Sequence, residues 1–344
     1  MLRKLLLTAS IVVPSLLLAQ DKQRLVPAII GFYNIENLFD TINDPAINDE
    51  EFLPRGANQW TGERYRMKLH NMAKVIGELG TDIHPRGPAL LGLAEVENGT
   101  VVEDLVRTEP LTSRGLKVVS HEGPDERGVD VAFIYDPQQF KLLGQKAYRL
   151  NVPNEPDFKT RDQLLVSGIL DGDTIHAIVA HWPSRRGGEK RSRPYRNMAA
   201  DLGRHIIDSL TARNPNARVF YMGDLNDDPI NESVRKHMKA VGDKNAAKGE
   251  LLYGPMDKYY KDGIGTLAWR DSWNLFDQII LTPALCTGDG GRYKHHGTFI
   301  HNKPYMRQKE GNFEGYPFRT FVGNQFMNGY SDHFPVYVVL TRPE

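Results

Sequence analysis

Asp224 and Asn226, in Gly223-Asp224-Leu225-Asn226, and Asp332 and His333, in Ser331-Asp332-His333, are of the residue types that can hold cations and move protons. Asn34, Glu95, His181 and Asp277 extend this set along the chain, and all share one sequence context. Each sits at the end or the start of a short apolar run. Ala28–Tyr33 leads into Asn34, Ala89–Ala94 into Glu95, Ile175–Ala180 into His181, and Val219–Met222 into Gly223-Asp224. Asp277 precedes Gln278–Leu281, and Ser331-Asp332-His333 precedes Pro335–Leu340. If the first four runs point one way as strands and the last two the other way, all six clusters meet at one edge. Core packing alone would put apolar residues there.

The residue types suit one task. Asn, Glu and Asp offer hard oxygen ligands that fit Mg²⁺, Mn²⁺ or Ca²⁺ better than Zn²⁺. Two histidines at the same edge can donate to phosphate oxygens or protonate a leaving group. Phosphoryl chemistry needs this mixture: a cation for the non-bridging oxygens, a carboxylate to orient water, and donors for charge in the transition state. Singly, each residue also has a plainer reading. Asp224, ahead of Asp227-Asp228-Pro229, could close a turn before a helix. Glu95 and Glu97 could be solvated at a strand end, Asn34 and Asn37 could cap or form an Asx-turn, and Asp332-His333 could be an exposed loop. Glu36, Glu97, Asp227 and Asp228 are read as structural or supporting. His295-His296 are read as surface or packing residues.

Two stretches have helical period. Tyr65, Leu69, Met72, Ile76 and Leu79 share one face, as do Met198, Leu202, Ile206 and Leu210. Polar residues fill the opposite faces, as in helices that cover a sheet. Strand-like runs, including Val129–Tyr135, interleave with these helices and argue for an α/β fold with buried sheets. Thr41–Gln59 reads as a surface loop, and Arg292–Asn328 as long loops packed on the body. No repeat or Gly/Ser linker divides the chain, so residues 20–344 are expected to form one domain.

Composition is that of a globular protein, with 25% charged and 40% hydrophobic residues. Lys+Arg and Asp+Glu both number 43, so overall charge does not favour a polyanionic partner. The lone cysteine, Cys286, excludes an internal disulfide and is expected to be buried rather than reactive. Residues 1–19 pair Arg3-Lys4 with an apolar stretch to Leu18, which predicts a secretory signal peptide cut after Ala19. The alternative is an uncleaved anchor; either way the body lies in the periplasm or outside the cell.

The ordered set Asn34, Glu95, His181, Asp224/Asn226, Asp277 and Asp332/His333 resembles the endonuclease/exonuclease/phosphatase superfamily. This group includes pancreatic-type deoxyribonuclease, abasic-site endonucleases, inositol-polyphosphate 5-phosphatases and neutral sphingomyelinases. The resemblance spans about Phe32 to Leu340 and implies a four-layer sandwich of two mixed β-sheets flanked by helices. It implies Glu95 as main metal carboxylate, helped by Asn34 and Asp332, with Mg²⁺ as the cofactor (Mn²⁺ or Ca²⁺ as alternatives). It implies Asp224 as the group that orients or deprotonates water, with Asn226 holding it or the phosphate. His333 would contact the scissile phosphate, Asp277 would fix its tautomer, and His181 would be a candidate general acid with Asp130 as its partner. Ala94 departs from the family, which often has Gln before the metal Glu.

Substrate is read from the loop after His181. Arg185, Arg186, Lys190 and Arg191 open a run of six basic residues from Arg185 to Arg196. Such a run supplies salt-dependent contacts to a nucleic-acid backbone; the plainer reading is a solvated charge run opening the next helix. The expected activity is a nuclease of low sequence specificity, with nucleic acid as substrate and no stable protein partner. The rival is a phosphatase or phosphodiesterase for a small or lipid phosphoester, and Gly311–Phe326 is aromatic enough to leave lipid open. A non-catalytic binding protein on the same fold is the remaining alternative.

Overall fold

The computed structural model describes residues 24–344. The expected signal peptide at 1–19 lies outside the described residues. The chain opens with β1 (Leu25–Leu38), α1 (Gly62–Glu78), β2 (Leu90–Val96), α2 (Gly99–Val106), β3 (Lys117–Ser120) and β4 (Asp130–Tyr135). It continues with β5 (Phe140–Tyr148), β6 (Gln163–Leu170), β7 (Asp173–His181), α3 (Glu189–Arg213) and β8 (Arg218–Asp224). Then come β9 (Ala240–Val241), β10 (Leu252–Tyr253), β11 (Leu267–Trp269), β12 (Ser272–Asn274) and β13 (Asp277–Leu281). Last are β14 (Lys294–Ile300), β15 (Phe321–Val322), β16 (Gln325–Phe326) and β17 (Val336–Pro343).

Two large mixed sheets form from these strands. One has six strands in the order β14-β17-β1-β2-β4-β3, the other seven in the order β5-β6-β7-β8-β13-β10-β9. Side chains alternate along β1, as strand geometry requires. Ile30 and Phe32 face inward and meet Val179, Phe220 and Met222 of the second sheet in one core. Ile29 and Tyr33 face outward and meet Met72, Val75 and Ile76 of α1. On the far side, Ile178 and Tyr221 pack on Ala199, Ile206 and Ile207 of α3. The result is the expected helix–sheet–sheet–helix sandwich.

The pairing directions bring the polar strand ends together. β1 runs parallel to β2, and β7 parallel to β8. β17 runs antiparallel to β1, and β13 antiparallel to β8. Close contact between β7 and β8 depends on Gly223: a Cβ there would lie 1.9 Å from the Ala180 carbonyl oxygen. Gly223→Ala is therefore expected to lower stability by at least about 2 kcal/mol through forced separation of the strands. An unchanged urea midpoint would contradict this packing.

Three segments differ from the sequence reading. The tail from Arg292 was expected to be loops, yet Lys294–Ile300 pairs with β17 at the sheet edge, with a bulge between His295 and Gly297. Its half-exposed, interrupted pattern hides a strand whose order comes from its partner. β5 and β6 also escaped notice, β5 because most of its residues are solvent-facing. The Thr41–Gln59 loop is anchored rather than free: Phe52 is buried and stacks on Phe39 at 4.2 Å between ring centres.

Candidate active site

Three chemistry-bearing residues become neighbours through strand register alone. His181 of β7 lies opposite Asp224 of β8, and Asp277 of β13 lies opposite Asp224 on its other side. The first sheet contributes through bulges. The β1–β2 pairing shifts between Asn34 and Leu38, and the β2–β4 pairing shifts between Ala94 and Val96. Glu36, Asn37 and Glu95 adopt positive φ there (52°, 52° and 62°). Bulges re-aim side chains, and non-glycine residues in this region are held by their surroundings at some cost. The bulge at Glu95 lets its carboxylate accept the Asn37 N–H at 3.1 Å.

Asn34 fastens the two sheets. Its Nδ2 donates to Glu95 Oε1 at 3.2 Å and to Asp224 Oδ2 at 3.1 Å. Its Oδ1 accepts the Glu36 N–H at 3.0 Å, which fixes the orientation of the amide. The resemblance made Asn34 a metal ligand; here its nitrogen, and not its oxygen, faces the carboxylates. Asp224 is buried and its Oδ1 accepts the Asn226 N–H at 2.9 Å. Asn226, at φ 50°, turns its side chain away and donates to the Trp182 carbonyl at 3.0 Å. It thus braces the β7 and β8 exits.

The two histidines approach Asp224 Oδ2 from either side, His181 Nε2 at 3.6 Å and His333 Nε2 at 3.8 Å. Their electrostatics are opposite. Burial disfavours the His333 imidazolium, but Asp277 outweighs it by charge and by a 2.7 Å hydrogen bond at Nδ1, with Asp332 and Asp224 adding to the effect. Its pKa therefore stands well above the ordinary value, which favours the imidazolium. Ser331 sets its position, donating to the Asn34 carbonyl and accepting the His333 N–H. His181 is pushed well below its ordinary value by burial, then by the charges of Arg161, Arg127 and His333. Its Nδ1 has no hydrogen-bond partner among the described residues. Asp130, the expected partner, instead accepts the Gly123 N–H at 2.9 Å.

The carboxylate of Asp224 is raised to about 6, chiefly by burial, with Asp277 and Glu95 adding to it against the opposing charge of His333. A cation would offset that crowding of negative charge. Glu95, His181 and Asp224 present ligand atoms that all lie within 4.8 Å of one another, so these residues fit a divalent ion. Asp332, expected among the ligands, is not in this trio. Its Oδ2 is held by Arg319 Nη2 at 2.6 Å, and its Oδ1 lies 3.9 Å from His333 Nε2.

Residues 29–342 match the Endonuclease/Exonuclease/phosphatase family. The chain belongs to that family. Endonuclease/exonuclease/phosphatase proteins are phosphoesterases that typically use a divalent metal, and the Glu95–His181–Asp224 cluster is where this member could hold one. No curated protein matches the chain. Solved structures with the same fold include a mannosyl-6-phosphatase from Bacteroides thetaiotaomicron, 16% identical with a TM-score of 0.54, covering 91% of this chain and 99% of that one. Another family protein from the same organism is 17% identical with a TM-score of 0.53, covering 93% and 99%. D. rerio TDP2, complexed with a single-strand DNA product, is 13% identical with a TM-score of 0.52, covering 91% and 98%. At these identities the likeness is one of fold.

The basic run divides in two. Arg185 faces inward: it donates to the Asn226 carbonyl at 2.9 Å, contacts Asp227 and Asp228 at 3.2 and 3.4 Å, and lies over Phe276. Arg196 is fully buried against Asp227 at 2.8 Å. Arg186, Lys190 and Arg191 are exposed, with no ion pair among the described residues. Two other features had no sequence motif to reveal them. Lys68, on the buried face of α1, donates to Thr320 Oγ1 and the Tyr330 carbonyl, both at 2.6 Å. The β11–β12 hairpin, just ahead of Asp277, exposes Trp269 and Trp273. Trp273 stacks on Phe334, the neighbour of His333, at 6.3 Å.

Proposed function

We propose that this chain is an extracytoplasmic, Mg²⁺-dependent phosphodiester hydrolase, a nuclease of low sequence specificity. The observation that carries this reading is Asp224, within 4 Å of two imidazoles that its surroundings bias in opposite senses, and hydrogen-bonded to the amide that also holds Glu95. A divalent ion bound by Glu95 and Asp224 oxygens, with the His181 nitrogen beside them, would neutralise phosphate charge. Asp224 orients the attacking water and accepts its proton. His333, fixed and charged by Asp277, donates through Nε2 to a phosphate oxygen. His181, kept neutral, would offer the Nε2 lone pair to that ion rather than act as a store of a proton. Asp332 holds its place beside His333.

Nucleic acid fits better than a headgroup for two reasons. Arg186, Lys190 and Arg191, exposed in the segment that follows His181, offer positive charge suited to backbone phosphates. The exposed Trp269, in the hairpin just ahead of Asp277, suits stacking of a base. The second reading, a phosphatase for a small phosphoester, draws support from the mannosyl-6-phosphatase on the same fold and from the inward turn of Arg185. Extracytoplasmic location rests on the leader-like residues 1–19, with the remainder acting as one catalytic domain.

Incubation of residues 20–344 with supercoiled plasmid decides between these. Nicking with Mg²⁺ that stops in EDTA and returns with added Mg²⁺ is the expected result. Nicking that survives exhaustive chelation removes the metal from the mechanism. Intact plasmid together with hydrolysis of a hexose 6-phosphate establishes the second reading instead.

A further inference from the structure

Arg319 carries no sequence signal, yet it reaches the catalytic cluster from a segment that no strand of either large sheet contributes. Its guanidinium touches two carboxylates, Asp332 Oδ2 through Nη2 at 2.6 Å and Glu36 Oε1 through Nε at 3.4 Å. Nη1 donates to no described residue, and the side chain keeps 42% exposure. Its backbone is fixed on several sides. The Thr320 N–H donates to Glu36 Oε2 at 2.7 Å, Lys68 holds Thr320 Oγ1, and Phe318 exchanges main-chain bonds with Met306 and Tyr330. Gly329 lies so close that a Cβ there would be 2.1 Å from the Arg319 carbonyl oxygen.

This is more support than a surface ion pair needs. Buried Glu36 meets the guanidinium directly and buried Lys68 braces the adjoining Thr320, while Asp332 is shared between that cationic fork and His333. Arg185, by contrast, has its donors engaged inward. We propose that Arg319 is a substrate-contacting residue whose free guanidinium edge donates to a non-bridging oxygen of the phosphate that His333 engages. The proposal rests on the phosphoesterase reading above. A planar fork suits a tetrahedral oxyanion, and its charge is permanent.

The test uses bis(p-nitrophenyl) phosphate with Mg²⁺, and inorganic phosphate as the binding probe. Arg319→Gln should lower kcat/KM by about 100-fold, as loss of one transition-state donor does. It should also weaken inorganic phosphate binding to the Mg²⁺-loaded protein by about tenfold, the loss of one charge-assisted bond. Arg319→Lys should recover part of the rate. Added guanidinium chloride at non-denaturing concentration should rescue Arg319→Ala, which a purely architectural role would not permit. Wild-type kcat/KM and phosphate affinity in Arg319→Gln, or a folded Arg319→Ala that guanidinium does not rescue, overturns the assignment while leaving the enzyme reading intact. A wild-type chain that hydrolyses no phosphoester removes both.

Discussion

Replacing His333 by Ala is expected to lower kcat on a phosphodiester by about 1,000-fold, the scale of a well-placed proton donor. The reason is the combination of charge and position. Asp277 holds Nδ1 at 2.7 Å and keeps the ring cationic against the cost of burial, so Nε2 presents a fixed N–H beside Asp224. His181 cannot replace it, because burial and the charges of Arg161, Arg127 and His333 itself disfavour its protonated form. Asp277→Asn keeps the shape but not the charge, and should lose about 100-fold. The variants are compared by kcat at saturating substrate, with circular dichroism to verify folding. A folded His333→Ala enzyme within about tenfold of wild type would place the chemistry elsewhere.

Asp224→Asn should abolish activity and, in metal-free buffer, make the protein more stable. The buried carboxylate titrates at about 6 in the folded chain against an ordinary 3.8. A folded-state value raised in this way means that the folded protein binds the proton more tightly than the unfolded one. The penalty is absent well below 3.8, grows as pH rises between the two values, and is complete above about 6. Asn removes it, but its single carbonyl oxygen can accept from only one of Asn34 Nδ2 and the Asn226 N–H, a loss of about 1 kcal/mol. Relief of the penalty is worth about 3 kcal/mol at pH 8, so the net gain should be about 2 kcal/mol once the lost hydrogen bond is subtracted, and it should shrink as pH falls through 6 towards 4. Urea unfolding in EDTA at several pH values measures this. Stability equal to wild type at pH 8 would mean that Asp224 is not desolvated, and a cation would then have less to offset. Saturating Mg²⁺ should narrow the difference, since only the wild type keeps the full carboxylate pair.

The residues that crowd Asp224 were legible because strand ends are legible. An apolar run of strand length that stops at Asn, Glu, His or Asp marks a point where buried sheet meets solvent, and the order of those points matched a family. Val219–Met222 before Gly223-Asp224 and Asp277 before Gln278–Leu281 are clear cases, and the structure pairs Asp224 with Asp277 directly. Less legible were edge elements such as β5 and β14, whose half-exposed patterns lack contrast. The basic run after His181 was legible as composition only. Whether a guanidinium turns outward or inward depends on the acids waiting beneath it, and Asp227 and Asp228 draw Arg185 in.

The sequence by itself determined the α/β class and the residue types gathered at one edge, because these follow from local periodicity and from the polar ends of strands; the sandwich came with the family resemblance that those motifs carried. Only the tertiary structure decided which atoms face one another. Asn34 turns its nitrogen to Glu95 and Asp224 because the Glu36 N–H claims its oxygen within the same bulge. His181 stands without a partner at Nδ1, and Asp130 serves Gly123 instead. Arg319 meets Glu36 across 283 positions of sequence, and Lys68 meets Thr320 across 252. Contacts at such separations are fixed by how two sheets and their loops pack, and no local pattern encodes them.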